Sequence, residues 1–96
     1  MRVISVASGS TGDKNFSVHF PKGRGCYLYI LFRSGTMLYV EDKYIPVQPG
    51  TGIFYDKDQF QSYYCCDETG FNHDYVSFDL NGEEEERIFL FFSVFF

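Results

Sequence analysis

The stretch that decides the fold is CYLYILF, from Cys26 to Phe32, a continuous apolar run of β-forming side chains. A run of this kind is typical of a strand that is covered on both faces. Ser34-Gly35 then predicts a turn into a second strand, TMLYV, from Thr36 to Val40. Glu41 to Lys43 predicts another turn, into a third strand from Tyr44 to Val47. Three strands in such close succession predict an all-β protein.

More strands follow at the spacing that is typical of β-sandwiches and barrels. Pro49-Gly50 interrupts the ladder, because proline lacks a backbone donor and glycine relaxes φ. Beyond this break, the apolar and aromatic pattern predicts three strands: Gly52 to Tyr55, Gln61 to Cys66 and Tyr75 to Phe78.

The 96 residues are enough for one domain, and we predict a single one over residues 1–96. Residues 1–15 are interpreted as an N-terminal arm, residues 16–82 as the barrel, and residues 83–96 as the start of a C-terminal segment. Within the arm, a short strand at Val3 to Val6 is predicted to lead into a Gly-rich loop at Gly9 to Asn15.

The C-terminal segment differs in character from the rest of the chain. Glu83 to Glu86 place four acids together, which suits the first turn of a short helix. The segment then becomes almost entirely apolar, and we expect it to pack on the barrel or in a dimer. Its phenylalanines are Phe89, Phe91, Phe92, Phe95 and Phe96.

Charge and cysteine content limit the function classes. The net charge of −5 gives the chain no field that would attract phosphate, so direct binding to nucleic acid or to an anionic membrane is not expected. Three cysteines, two of them adjacent, make a poor disulfide scaffold. With no export or anchoring signal in the sequence, we expect a cytoplasmic protein.

From about Phe20 to Gly82, the order of elements resembles the N-terminal sensing domain of AraC-type bacterial transcription regulators. Two segments carry the resemblance: TMLYVEDKYIPVQPGT, from Thr36 to Thr51, and FNHDYVSFDLNG, from Phe71 to Gly82. The resemblance implies a cupin, or jelly-roll, β-barrel (a double-stranded β-helix) that senses a small sugar-like metabolite and forms a homodimer. It also implies that DNA is bound only through a C-terminal domain outside these residues.

Enzymatic cupins hold a divalent metal with three histidines and a carboxylate, ligands that suit iron and manganese. The matching positions fall near Phe20, Lys22, Cys26 and Gln61, and none has the expected ligand type. We therefore expect no metal, no cofactor and no enzymatic activity.

The expected ligand is a carbohydrate, which proteins hold with flat aromatic faces and with side chains that can make two hydrogen bonds. For any one tyrosine, an aromatic core residue with its hydroxyl at the barrel mouth is the simpler interpretation. His73 is either a turn histidine or a ligand contact that titrates near neutral pH. The candidate ligand-binding residues are Tyr29, Arg33, Tyr39, Gln61, Tyr63 and His73.

Two alternatives from other functional classes stay open at this point. One is a small stand-alone cupin enzyme, an isomerase, epimerase or dioxygenase. The other is a dimerisation domain without a ligand. Bound metal would favour the first, and a melting temperature that no metabolite changes would favour the second.

Overall fold

A computed structural model of the protein describes residues 1–87, and these residues form eight strands and one short helix. The strands alternate apolar and polar positions or carry aromatic runs, and tight turns join several of them. They are β1 (Arg2–Gly12), β2 (Ser17–Phe20), β3 (Tyr27–Phe32), β4 (Thr36–Val40), β5 (Lys43–Val47), β6 (Gly52–Tyr55), β7 (Gln61–Cys65) and β8 (Phe71–Asp79).

The strands form two four-stranded sheets in which every pairing is antiparallel. The first sheet has the order β1-β8-β3-β6, and the second has the order β2-β7-β4-β5. No strand pairing within residues 1–87 joins one sheet to the other. The all-β prediction is confirmed, but the sheets do not close into a barrel, because closure requires a hydrogen-bonded ladder that runs through every strand.

The core lies between the sheets and is built from alternate residues of the strands. In β3, Leu28, Ile30 and Phe32 are buried against the second sheet. Tyr29, between them, is 44% exposed on the outer face. The prediction that this strand is covered on both faces is therefore wrong at its centre. Leu38, Tyr55, Tyr63, Cys65 and Phe71 complete the cluster.

The N-terminal region differs from its prediction. In place of a short strand and a loop, β1 continues to Gly12 and pairs with β8 along most of its length. The register shifts between Val3 and Ser5 and again between Ala7 and Ser10. Gly9 takes a φ of 66° within the second irregularity, a conformation that glycine adopts at no steric cost. Pairing with β8 thus overrides the local preference of a Gly-rich segment for a loop.

The predicted short helix is confirmed over its described part, residues 82–87. The Asn81 side chain accepts a hydrogen bond from the backbone N–H of Glu84 at 2.9 Å, and the Glu84 carboxylate accepts one from the backbone N–H of Asn81 at 3.0 Å. This reciprocal pair is a capping box, which satisfies two backbone donors at the helix start. The phenylalanines from Phe89 to Phe96, which we expected to pack on the barrel or in a dimer, lie outside the described residues.

Among the described residues, no helix has the length and apolar character that crossing a membrane would need.

Candidate functional site

A cavity of about 230 Å³ lies between the sheets on the flank formed by β1, β8, β2 and β7, and we call it the histidine cavity. It joins apolar walls to several polar groups, which is the composition expected of a site for a small polar molecule. Its lining residues are Ser10, Thr11, Phe16, Val18, Arg24, Leu28, Ile30, Tyr63, His73 and Tyr75.

His73 lies within β8 and not in a turn, and its side chain carries an unpartnered buried polar atom in this cavity. It is 7% exposed, and its Nδ1 has no hydrogen-bond partner within residues 1–87. The ring lies 4.5 Å from the Phe71 ring and 5.5 Å from the Tyr75 ring, between centroids. Burial holds the pKa of His73 below its usual value, and the charge of Asp74 and a hydrogen bond to the Ser10 backbone oppose that shift only in part.

Tyr63 and Arg24 add a hydroxyl and a guanidinium to the same cavity. Tyr63 is 3% exposed, and burial raises its pKa to about 12, although the nearby positive charge of Arg24 acts in the opposite direction. Arg24 is exposed at the mouth, where its guanidinium carbon lies 4.9 Å from the centroid of the Phe20 ring. The tyrosine is thus a neutral hydrogen-bonding group inside the cavity, and the arginine is a charged one at its mouth.

The position of Arg24 depends on the glycine before it. Gly23 has a φ of 76°, and a Cβ atom at this position would lie 2.3 Å from the Lys57 carbonyl oxygen. The same oxygen accepts a hydrogen bond from the backbone N–H of Gly25 at 2.9 Å. Only glycine fits so close to another backbone in this conformation, so residues 23–25 are held against the loop after β6.

Gln61 is fully buried between the sheets, at the start of β7. Neither its Oε1 nor its Nε2 has a hydrogen-bond partner within residues 1–87. It lies two residues before Tyr63 but does not line the histidine cavity. A buried amide without partners is costly, about 1–3 kcal/mol, so its presence is not explained by packing alone.

The structure brings only two of the six predicted ligand-binding residues, Tyr63 and His73, into the histidine cavity. Tyr29 lies on the outer face of the first sheet, in a shallow apolar groove. Arg33 lies after the end of β3, where its Nε donates to the Asp74 carboxylate at 2.7 Å. Hydrogen bonds from the Gly9 backbone N–H and from Arg33 hold the pKa of Asp74 below its usual value.

Tyr39, the remaining predicted residue, lines a second cavity on the opposite flank of β3, and we call this the acidic cavity. It has a volume of about 530 Å³ and is bounded by β4 from one sheet, β6 from the other and the loop after β6. Its lining residues are Leu38, Tyr39, Val40, Glu41, Asp42, Ile53, Tyr55, Gln59 and Phe60.

Sequence reasoning missed the residues that come to the histidine cavity from outside the predicted strands. Ser10 and Thr11 lie on the part of β1 that was predicted as a loop, and Phe16 and Arg24 lie in connecting segments. Gly23 and Gly25 on either side of Arg24 mark a tightly constrained turn in the sequence, but they do not indicate where that turn places the arginine.

Within residues 1–87, no three His, Cys, Asp or Glu side chains lie close enough together to hold a metal ion. No protein-family model matches the chain, and no curated protein is significantly similar to it.

Proposed function

We propose that this chain is a jelly-roll domain that binds a small, neutral, polar molecule such as a monosaccharide in the histidine cavity. In this proposal the domain is the effector sensor of an AraC-type transcription regulator, and DNA is bound elsewhere in the regulator. The proposal has four parts: the fold, the ligand, the regulatory role and homodimer formation.

The strand order supports the jelly-roll part of the proposal. Each sheet combines strands that are far apart in sequence, such as β1 with β8 and β2 with β7, so that the chain crosses repeatedly from one sheet to the other. A jelly roll has eight strands in two sheets connected by Greek keys. The eight strands and their antiparallel pairings here are consistent with that arrangement.

The observation that carries the ligand part is the unpartnered Nδ1 of His73, buried in a cavity that also holds Tyr63 and Arg24. A buried polar atom without a partner costs stability, and a ligand hydroxyl could satisfy it. Because burial favours the neutral imidazole, His73 offers a hydrogen-bonding nitrogen without a charge. A sugar hydroxyl both donates and accepts, so it fits either tautomer.

The volume and the rings of the cavity limit the size and shape of the ligand. At about 230 Å³ the cavity is smaller than the ~300 Å³ at which pockets for drug-sized molecules begin. Phe16 lines it and stacks on Phe71 with the rings 4.6 Å apart and 9° from parallel. A flat ring at the wall suits the apolar face of a pyranose or furanose, so a single sugar unit is the proposed occupant.

A thermal-shift titration with arabinose, galactose and glucose tests the ligand part. A sugar that binds only the folded state stabilises it, by about 2.7 kcal/mol at a concentration of 100 Kd. In an NMR titration, the resonances of His73 and Tyr63 should move with the same Kd. The proposal fails if none of the sugars, nor any other neutral polyol, changes either signal.

Two arginine variants provide the matched control. Arg24→Ala removes an exposed guanidinium at the cavity mouth, so the fold should persist and the sugar affinity should fall. Arg87→Ala removes an exposed guanidinium from the helix at 82–87, where it pairs with Glu83, and should leave sugar affinity unchanged. Equal loss of affinity in both variants would point to a general charge effect and would contradict a site at the histidine cavity.

The regulator role rests on the resemblance and has a direct test in the gene. The reading frame that follows Phe96 is expected to encode two helix-turn-helix motifs, the DNA-binding half of such a regulator. A frame that encodes an unrelated catalytic domain would overturn this part of the proposal while leaving sugar binding intact.

Homodimer formation is also part of the proposal. The outer face of the first sheet carries an apolar groove lined by Val6, Tyr29, Leu31 and Val76, with Val6 70% exposed. A second copy packed on this face would remove that apolar surface from water. Sedimentation equilibrium should show a dimer that Val6→Lys weakens; a monomer at all concentrations contradicts this part.

A further inference from the structure

The acidic cavity combines aromatic walls with negative charge, and the histidine cavity has no such combination. The Tyr39 and Phe60 rings lie 5.2 Å apart between centroids, with their planes at 50°. Tyr39 also meets the Tyr44 ring at 5.0 Å, and Phe60 meets the His19 ring at 5.4 Å, so these two cavity residues belong to a larger aromatic cluster. Tyr55, which is 4% exposed, lines the cavity from the opposite sheet.

The loop after β6 fixes one side of this cavity. The backbone N–H of Asp56 donates to the Gln59 side chain at 3.0 Å, and the backbone N–H of Gln59 donates to the Asp56 carbonyl at 3.2 Å. These two bonds close the loop immediately before Phe60. The ring is therefore placed by a closed turn, although it is 39% exposed.

The charge of the cavity comes from the turn between β4 and β5. Glu41 and Asp42 both line the cavity and are both exposed. Neither makes an ion pair within residues 1–87, and no Lys or Arg lines the cavity. By contrast, the carboxylates of Asp74, Asp79, Glu83, Glu84 and Glu85 are each paired with a positive group.

We propose that the acidic cavity is a second binding site, distinct from the histidine cavity, that takes an alkylated ammonium ion. The Tyr39 and Phe60 rings supply π faces, which attract a cation through the negative face of the ring. The carboxylates of Glu41 and Asp42 supply the charge complement. An alkylated ammonium fits better than a bare metal ion, because most of the cavity wall is apolar and the burial of methyl groups against it is favourable.

Isothermal titration with choline tests the proposal, and its neutral carbon analogue, 3,3-dimethylbutan-1-ol, serves as the control ligand. The two molecules have nearly the same shape and differ in charge. Choline is expected to bind at least tenfold more tightly, because the ring faces and the carboxylates attract its positive charge. A pocket that selects only for apolar shape would bind both molecules equally. No choline binding, or equal binding of the two molecules, overturns the proposal.

Variants locate the site. Phe60→Leu removes a ring from a partly exposed position, and the double variant Glu41→Gln with Asp42→Asn removes both charges. Each should weaken choline binding about tenfold. Asparagine tolerates positive φ, and glutamine has the same shape as the glutamate that already adopts it at position 41, so the double variant should keep the turn. Far-UV circular dichroism checks its fold.

A matched double variant controls for net charge. Glu68→Gln with Glu86→Gln neutralises two exposed carboxylates that do not line either cavity. Choline affinity should be unchanged in this variant and should fall in the Glu41→Gln, Asp42→Asn variant. The same loss in both, or no loss in either, contradicts the assignment of the site.

Discussion

The two cavities lie on opposite flanks of β3, the histidine cavity between the sheets and the acidic cavity where β4 and β6 meet, and they differ in where their polar groups lie. In the histidine cavity, His73 and Tyr63 are buried. In the acidic cavity, Glu41 and Asp42 are exposed at the rim. Buried polar atoms select a ligand by hydrogen bonds, and they lower the stability of the fold when they have no partner. Exposed charges select a ligand by the sign of its charge and have little effect on stability, because water solvates them.

The largest expected effect tests whether the two flanks differ in their contribution to folding. Phe71→Ala, under the histidine cavity, should lower the free energy of unfolding by about 3–5 kcal/mol, because Phe71 is 1% exposed and packs against Phe16, Phe32 and Tyr63. Phe60→Ala, in the acidic cavity, should cost less than about 1 kcal/mol, because its ring is partly in water. Urea denaturation measures the free energy of unfolding of both variants. Equal losses would show that the two flanks contribute equally to folding.

The second effect concerns the buried amide of Gln61, which lines neither cavity. Gln61→Met replaces an unpartnered amide with an apolar side chain of similar shape, so it should raise the free energy of unfolding by about 1–3 kcal/mol. Urea denaturation again provides the measurement. A loss of stability would mean that the Gln61 amide has a hydrogen-bond partner in solution.

The third effect concerns the turn that carries the charge of the acidic cavity. Glu41 and Asp42 have φ values of 50° and 68°, a conformation that is unfavourable for glutamate but that aspartate, asparagine and glycine tolerate. The double variant Glu41→Asn with Asp42→Gly places an Asn-Gly pair in this turn and should raise the free energy of unfolding by about 1 kcal/mol. Choline binding should weaken about tenfold at the same time, because both carboxylates are removed. If stability falls instead, the acidic residues do not strain the turn.

The smallest effect is a pH dependence that belongs to the histidine cavity. The pKa of His73 is lower in the folded chain than the ~6.5 of an unfolded one, so the unfolded chain binds a proton more readily. The contribution of His73 to the free energy of unfolding therefore has its full value above pH ~6.5. It decreases as the pH falls through that value toward the pKa of His73 in the folded chain. Melting temperatures between neutral pH and pH ~5 should fall less steeply for His73→Gln.

The exposed histidine provides the control for this measurement. His19→Gln also removes one imidazole, from a position outside both cavities. The wild-type pH slope should persist in this variant. If the slope disappears in His19→Gln and persists in His73→Gln, the buried histidine is not the group responsible.

Much of the fold follows from local sequence patterns, and the failures have specific causes. The predicted bounds of β4 and β6 match the structure, because short β-forming runs between turn residues define them. The second half of β1 was missed, since Gly9 and its polar neighbours form a strand only through pairing with β8. Strand β2 was not predicted for the related reason that its four residues depend on pairing with β7.

The candidate site was less predictable than the fold, because side-chain direction depends on strand register. Tyr29 was chosen for its chemistry, but its neighbours Leu28 and Ile30 face the core, so the tyrosine must face outward. That alternation was readable from the sequence. The arrival of Arg24 at the cavity mouth was not, because it depends on where the loop after β6 lies.

The two register shifts in β1 also change what its outer edge offers to other copies of the chain. A flat outer edge of eleven residues, with Val3, Ile4 and Val6 exposed, would offer an open template for strand addition from other copies. The shifts divide that edge into short pieces, and Pro46 removes a donor from β5 at an edge of the other sheet. A strand added by another copy therefore finds no long uninterrupted ladder at β1 or β5, which favours contact between copies through the side chains on the sheet faces.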